Sequence, residues 1–235
     1  MLLAQRIVGE ITDNKLEPGA ALMSEREMQQ RYGVARGTLR EALRFLEIQG
    51  VVSIRPGPGG GPTVNGVEPR SLASIIALLL QLSDAPFSTI LEARQLLEPA
   101  TAAMAAEGAS KADLAKLRES IAHMTLVLDD LPAFLAENRN FHDIIARASG
   151  NRLFELLLRS LSWITDASVL GVNYDLSHRK GILNAHQVVY DALVARDPEA
   201  AEDAMRVHMD EFARYLGKHY RVVLKQPLRW DLTAL

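Results

Sequence analysis

The sequence predicts a mainly α-helical protein in which one short strand region interrupts a long series of helices. Apolar residues recur three and four positions apart over most of the 235 residues, which is the period of an amphipathic helix. One Gly- and Pro-rich stretch, "RPGPGGGPTVNG" at 55–66, breaks both helix and strand. Arginines are concentrated just before that stretch, so the segments before and after it differ in net charge.

Composition limits the class of protein. Hydrophobic residues make up 48% of the chain and the formal net charge is −3, as in a soluble globular protein. The absence of cysteine excludes disulfides, thiolate metal sites and cysteine nucleophiles. The longest apolar runs are far shorter than a membrane span, and no secretion signal opens the chain. We therefore expect a cytoplasmic protein with no membrane contact.

Charge is divided unevenly along the chain. Residues 26–55 contain six arginines against three glutamates, a local excess of +3, whereas residues 67–235 contain 18 Lys and Arg against 22 Asp and Glu, or −4. A small basic domain therefore precedes a larger acidic one. The predicted divisions are a first domain at 1–66, a linker and extra helix at 67–84, an all-α domain at 85–222 and a tail at 223–235.

Three helices are predicted in the basic domain. The first ends at "LEPG", and the second begins with a capping box in which Ser24 is followed three residues later by Glu27. Gly33 ends the second helix, and Gly50 ends the third. The apolar "VVSI" after it predicts a strand. The apolar stripes are Ala4, Ile7, Val8 and Ile11 in the first helix and Val34, Leu39, Ala42, Leu43 and Leu46 in the third.

The outward face of the third helix has the residues that DNA recognition requires. The second helix of a helix-turn-helix fits the major groove, about 12 Å wide, and its N-terminal residues reach base edges. Arg36 and Arg40 are four positions apart, so both can enter one groove. A solvated charged face is the alternative for an isolated run of charges. The candidate DNA-binding residues on these helices are Arg26, Arg36, Thr38, Arg40 and Arg44.

The Gly- and Pro-rich stretch does not match a nucleotide-binding loop. A P-loop needs Lys and Ser or Thr directly after its last glycine and then a helix, but Gly61 is followed by Pro62 and Thr63. The dinucleotide fingerprint also fails, because Pro62 stands where its third glycine belongs. The stretch is therefore either a linker or a loop with another partner.

After Ser71 the pattern predicts helices only, with short breakers such as Ser149-Gly-Asn151 between them. Such a series forms an all-α bundle. The seven predicted helices are 71–82, 86–107, 110–129, 132–148, 151–169, about 178–196, and 198–219.

Three histidines of this bundle can converge. His142 lies four residues after Asn138, so both share one helix face. His186 lies eleven residues before Asp197 and His208 eleven after it, and Asp197 caps a helix start, so two antiparallel helices place both imidazoles at one height. Three imidazoles and an amide oxygen suit zinc or nickel, although a single histidine is more often a packed or surface residue. The histidines without such partners are His123, His178 and His219.

The segment "PGAALMSEREMQQRYGVARGTLREALRFLEIQGVVSIRPGPGGG" resembles the winged-helix DNA-binding domain of the GntR family over residues 4–65. By that resemblance the Gly- and Pro-rich stretch is a wing between strands at about 51–54 and 62–65, and it leans into the minor groove. This wing has more Gly and Pro than the usual form of the family. The DNA-binding residues that the resemblance adds are Arg55, Gly57 and Gly59.

The rest of the chain resembles the effector domain of FadR-type members of the same family, in "ILEARQLLEPATAAMAAEGA", "NRNFHDIIARASGNRLF" and "AHQVVYDALVARDPEAAEDAMRVHM". The resemblance implies that Arg94 grips the carboxylate of a small effector, with an ion pair to Glu98 at i+4 as the alternative. It implies a divalent metal beside the effector. Its ligands would be Asn138, which replaces the commoner aspartate, and His142, His186 and His208.

These expectations together describe a winged helix-turn-helix with a small β-hairpin wing, followed by an all-α bundle of about seven helices. The implied function is a ligand-responsive transcriptional regulator, most simply a repressor, which binds a palindromic DNA operator as a homodimer. The alternatives are a metal-dependent enzyme with a retained DNA-binding domain and an architectural DNA-binding dimer without effector. An enzyme is disfavoured because Glu137 and Asp143 face away from the histidines, which leaves no convincing general base.

Overall fold

The computed structural model describes residues 1–55, 57, 60–66, 68–165 and 172–230, and the chain divides into two units, Met1–Ser71 and Leu72–Leu235. The mainly α prediction is confirmed. The elements are α1 Leu2–Asp13, α2 Glu25–Tyr32, α3 Arg36–Ile48, β1 Val52–Arg55, β2 Gly61–Val64, α4 Pro69–Leu82, α5 Ser88–Gly108, α6 Lys111–Leu126, α7 Leu131–Ala148, α8 Arg152–Ile164, α9 Leu176–Ala195, α10 Pro198–His219 and α11 Arg221–Lys225.

In the first unit, capping residues set the ends of α2. Ser24 accepts a hydrogen bond from the Glu27 N–H, and the Glu27 carboxylate accepts one from the Ser24 N–H at 2.8 Å, which is the predicted capping box. Gly33 ends α2 in the left-handed conformation, with φ of 64°. The predicted stripes of α1 and α3 meet in one core, whose most buried members include Ile7, Leu39, Leu43 and Leu46.

The wing is an antiparallel hairpin in which Val52 pairs with Val64 and Arg55 with Gly61, one residue from the predicted strand limits. A third extended segment, which the sequence did not indicate, pairs with the other edge of β2. The Leu22 N–H donates to the Pro62 carbonyl and the Val64 N–H to the Ala20 carbonyl, both at 2.9 Å. This pairing fixes the base of the wing to the segment that leads into α2.

The second unit contains the seven predicted helices and, after them, the short α11. Helix α5 is central, since it packs against α7, α8, α9 and α10. The largest fully buried side chains of its core include Leu117, Phe134, Phe141 and Leu193. Helix α8 ends at Ile164, and the part of its predicted range beyond Thr165 lies outside the described residues. Among the described residues no helix combines the length and apolar character needed to cross a bilayer.

The turn between α9 and α10 has the predicted chemistry. Asp197 caps α10 by accepting a hydrogen bond from the Ala200 N–H at 3.0 Å, and Pro198 occupies the first position of the helix. Arg196 ends α9 in the left-handed conformation. The two helices therefore run back along each other, which brings residues at equal distances from the turn side by side.

Candidate functional site

The first unit presents a basic surface on α3. Leu39, Leu43 and Leu46 are buried on one side of this helix, so the side chains between them project to solvent. Arg36 lies at the first position of α3, 3.9 Å from a Glu25 carboxylate oxygen, with 71% of its side chain exposed. An ion pair that long and that exposed holds the guanidinium weakly. The predicted DNA-binding residues of α2 and α3 are all exposed: Arg26, Arg36, Thr38, Arg40 and Arg44.

The structure describes part of the wing, including Arg55 and Gly57. Arg55 ends β1 and is exposed, as is Gly57. Gly57 has φ of 104°, which favours glycine, and a Cβ on Gly60 would collide with the Arg55 carbonyl. The turn therefore depends on glycine at these two positions. Gly59 lies outside the described residues.

In the second unit His142 of α7, His186 of α9 and His208 of α10 meet in the interior. One ligand nitrogen from each lies within 4.8 Å of the other two, and all three residues are buried. The Nε2 atoms of His142 and His208 are 3.3 Å apart. His186 stacks on Phe141 with 3.9 Å between ring centroids. Equal spacing about Asp197 thus places the last two histidines at one level, as the sequence pattern indicated.

Two of the imidazoles, those of His186 and His208, are held in the neutral form that binds metal. Burial, followed by the neighbouring imidazoles, lowers the pKa of His186 well below its ordinary value. The same causes lower the pKa of His208 to about 3. Both rings are therefore neutral near pH 7. The Nε2 of His186 is buried and has no hydrogen-bond partner among the described residues, while its Nδ1 lies 3.3 Å from the Met124 sulfur.

These residues fit a divalent ion. Two nitrogens bound tetrahedrally to one zinc, at about 2.0–2.1 Å each, are about 3.3 Å apart, which is the separation of the His142 and His208 nitrogens. Asn138 is half-buried four residues before His142, on the wall of the adjoining cavity. The triad can thus hold zinc, nickel or a similar ion. The residues that would hold it are the three histidines, with the Asn138 oxygen as a neutral fourth donor.

Glu98, which the sequence indicated only as an i+4 partner of Arg94, also contacts the triad. One carboxylate oxygen lies 2.5 Å from His142 Nδ1, and the other accepts a hydrogen bond from Arg94 Nε at 2.6 Å. Burial would raise the pKa of Glu98, but the charges of Arg94 and His142 outweigh it and hold the pKa well below its usual range. A carboxylate on the outer nitrogen of a histidine orients the ring and increases its basicity toward a metal.

Arg94 is in the alternative ion pair that the sequence allowed, and it also lines the cavity. Besides Glu98 it binds Thr165, through a hydrogen bond of 2.6 Å from a terminal guanidinium nitrogen to the hydroxyl. Arginine has five N–H donors, so these two bonds leave three for another acceptor. The cavity has a volume of about 310 Å³ and is walled by α5, α7, α9 and α10, with Asn138, His142 and His208 in its lining.

The two other carboxylates near the histidines are engaged elsewhere. Glu137 contacts His123 Nδ1 at 2.9 Å and accepts a hydrogen bond from Asn140, and Asp143 accepts one from Arg159 at 3.4 Å. Among the described residues Glu98 is the one carboxylate in contact with the triad, and its lowered pKa keeps it ionised and makes it a poor proton acceptor. None of these three carboxylates is therefore a suitable general base beside the triad.

The metal-free protein is expected to lose stability as the pH falls below about 6.5. In the unfolded chain His186 and His208 titrate near 6.5, but in the folded protein burial lowers both pKa values. The unfolded state therefore binds more protons as the pH falls below about 6.5, for His208 down to about pH 3, and each group costs up to about 1.4 kcal/mol per pH unit as acid is added. Urea unfolding with chelator at pH 7 and pH 5.5 measures this loss.

A matched variant isolates the histidine contribution to that loss. His208→Gln removes one buried titrating group while keeping a polar side chain of similar size. The difference in unfolding free energy between the two pH values should therefore be smaller in the variant. Equal stability of the wild-type protein at pH 7 and 5.5 would contradict the assignment of neutral buried imidazoles.

A helix-turn-helix with an exposed arginine face and a glycine-dependent wing defines a DNA-binding transcriptional regulator, and the helical second unit is its additional domain. The chain belongs to the GntR family. The model described as bacterial regulatory proteins, gntR family, matches residues 3–60, and the model described as FCD domain matches residues 89–211.

Relatives and a solved structure agree with this assignment. The chain is 31% identical over 208 residues to the uncharacterized HTH-type transcriptional regulator YcbG of Bacillus subtilis, covering 87% of this chain and 84% of the relative. It is 32% identical to the Uxu operon transcriptional regulator of Escherichia coli, covering 85% and 79%. The structure of Streptococcus agalactiae GntR matches with a TM-score of 0.70 and 25% identity, covering 91% of this chain and 98% of that one. The relatives are named as regulators, so the protein is a regulator and not an enzyme.

Proposed function

We propose that this regulator is a repressor that binds a two-fold symmetric operator as a homodimer and responds to a small carboxylate held near a divalent metal. A single winged helix covers one half-site, so two copies are needed for a palindrome. A relative from Klebsiella aerogenes, 26% identical over 232 residues that cover 92% of this chain and 89% of the relative, is named transcriptional repressor NanR. Because the proposed partner is DNA, the proposed place of action is the cytoplasm.

The main support for DNA binding is the row of solvent-facing arginines on α3. Arg40 and Arg44 are exposed and make no ion pair among the described residues, and Arg36 has only its long contact with Glu25. The planar fork of arginine suits guanine O6 and N7 in the major groove as well as phosphate. Thr38, on the same turn of the helix, can donate to a phosphate oxygen.

The main support for effector binding is that Arg94 lines the same cavity as two histidines of the triad, His142 and His208. A metal bound by the triad would add two positive charges and act as a Lewis acid for an oxygen ligand. The three free N–H groups of Arg94 can then bind the second oxygen of a carboxylate. An uncharged ligand would gain less from both interactions because it has no charge to pair with the metal and the guanidinium, which is why we assign the effector as an acid.

Thermodynamic linkage between effector binding and DNA binding explains how the effector changes operator affinity. An effector that binds better to the DNA-free form of the protein weakens operator binding by the same factor by which DNA weakens effector binding. The size of the response is set only by the difference in affinity of the effector for the two forms. Metal and carboxylate together thus act on transcription without any chemical change in the acid.

Arg36→Ala and Arg40→Ala should each weaken operator binding by about 1–3 kcal/mol, because each removes a bidentate base contact. The measurement is fluorescence anisotropy on a duplex selected by the wild-type protein from a random pool, at one fixed salt concentration. Arg118→Ala is the matched control, since Arg118 is an exposed arginine on α6 in the second unit. Wild-type affinity in both α3 variants would contradict the proposed interface.

A further inference from the structure

The cavity beside the triad has a second polar region farther along the same two helices. His178 lies on α9 eight residues before His186, and Tyr215 lies on α10 seven residues after His208. With a rise of 1.5 Å per residue, both are about 10–12 Å along their helices from the triad. The two rings stack with 3.7 Å between centroids and an interplanar angle of 13°. Both side chains line the cavity.

His178 has an unsatisfied nitrogen in this region. Its Nε2 atom is buried and hydrogen-bonds to no described residue. Tyr215 covers one face of the ring, and Tyr174 lies 5.0 Å away between centroids, so the imidazole is held in place from two sides. Burial lowers the pKa of His178, which keeps the ring neutral. A buried polar atom without a partner is costly, so a fixed imidazole on a cavity wall is suited to a ligand oxygen.

The charges at this end of the cavity favour an oxygen-rich ligand. Arg214 and Lys218 of α10 line it together with the carboxylate of Glu211, and Asp175 lies at the start of α9. A purely apolar tail would meet two cations and an imidazole here, and it could not form a hydrogen bond or ion pair with any of them.

We propose that His178 is a second anchor and a specificity-determining residue, and that the effector is an acid with another oxygen function several carbons from its carboxylate. The carboxylate lies at the triad and Arg94, and His178 Nε2 hydrogen-bonds the distal hydroxyl or carboxylate oxygen. This inference rests on the proposed function, in which the cavity binds a small acid. It excludes simple fatty acids and short unsubstituted monoacids as effectors.

A matched series of acids tests the proposal on the full-length protein loaded with Zn²⁺. Hexanoate, 6-hydroxyhexanoate and adipate differ only at the far end, which is methyl, hydroxyl or carboxylate, so the last two also distinguish the two sources of the oxygen. Calorimetry should show at least one two-ended acid binding about five- to tenfold more tightly than hexanoate, the effect of one buried hydrogen bond.

Variants of His178 assign that preference to its nitrogen. His178→Phe keeps a ring against Tyr215 but has no nitrogen, so it should bind 6-hydroxyhexanoate and hexanoate about equally, while the cations that remain can still attract the second carboxylate of adipate. His178→Gln keeps a side-chain nitrogen and should recover part of the preference. His123→Phe makes the same replacement at an exposed histidine outside the cavity and should leave the preference unchanged. Circular dichroism and zinc content establish that each variant folds.

Each outcome separates this inference from the proposed function. Equal binding of the three acids by the wild-type protein, or a preference for 6-hydroxyhexanoate over hexanoate that is as large in His178→Phe as in wild type, overturns the second anchor and leaves the acid-binding cavity standing. If none of the acids binds, the effector half of the proposed function fails and the anchor with it. If His178→Phe does not fold, the affinities of the three acids for the wild-type protein and for His178→Gln are compared instead. A preference for the two-ended acids that is as large in His178→Gln as in wild type would then overturn the second anchor.

Discussion

His142→Ala should lower the affinity for zinc or nickel by more than about 100-fold. Loss of a residue that only supports a metal ligand already costs 10–100-fold, and His142 would be a ligand itself, with its Nε2 3.3 Å from that of His208. Two imidazoles and a neutral amide at Asn138 cannot replace it, since no anionic ligand remains to hold the ion. Metal content after dialysis against the ion, measured by mass spectrometry, and competition with a chelating dye give the affinity.

The control for this experiment is His123→Ala. His123 belongs to the same unit, but its side chain is 56% exposed and contacts Glu137 rather than the triad. This variant should therefore keep the wild-type metal content and bind the ion with the wild-type affinity. Wild-type metal content in His142→Ala would show that the triad is not the metal site, even if the protein binds an ion elsewhere.

The features predicted from the sequence are those fixed by local or repeating geometry. The capping box of Ser24 and Glu27 depends on four consecutive residues, and the helices follow from apolar spacing. The meeting of His186 and His208 could also be predicted, because antiparallel helices place residues at equal distances from Asp197 side by side. Whether the three histidines hold a metal stays a prediction.

The features that were not predicted depend on how separate elements pack. Glu98 contacts His142, 44 residues later, because α5 turns that face toward α7; the sequence showed only its i+4 relation to Arg94. His178 is rotated by about 80° from His186 around α9 at 100° per residue, and only the stack on Tyr215 of α10 reveals its place in the cavity. The pairing of Ala20 and Leu22 with the wing is equally nonlocal.

Glu98→Ala should destabilise the second unit by about 3–5 kcal/mol, because it leaves the buried Arg94 guanidinium without its counter-charge. Arg94 and Glu98 expose only 7% and 4% of their side chains, so solvent cannot replace the lost partner. The same change removes the carboxylate from His142 Nδ1 and should weaken metal binding by about 10–100-fold. Urea unfolding of the metal-free protein gives the first effect, and zinc titration of the folded protein gives the second.

Two further variants separate the roles of the Glu98 carboxylate. Glu98→Gln keeps the hydrogen-bond acceptor but loses the charge, so it should lie between wild type and Glu98→Ala in stability. The double variant replaces both Arg94 and Glu98 by leucine, so neither charge of the ion pair is left without a partner. It should therefore be more stable than Glu98→Leu alone. Its zinc affinity should stay low, because the contact with His142 is still absent. A double variant as unstable as Glu98→Leu would mean that the unpaired Arg94 charge is not the cause of the loss.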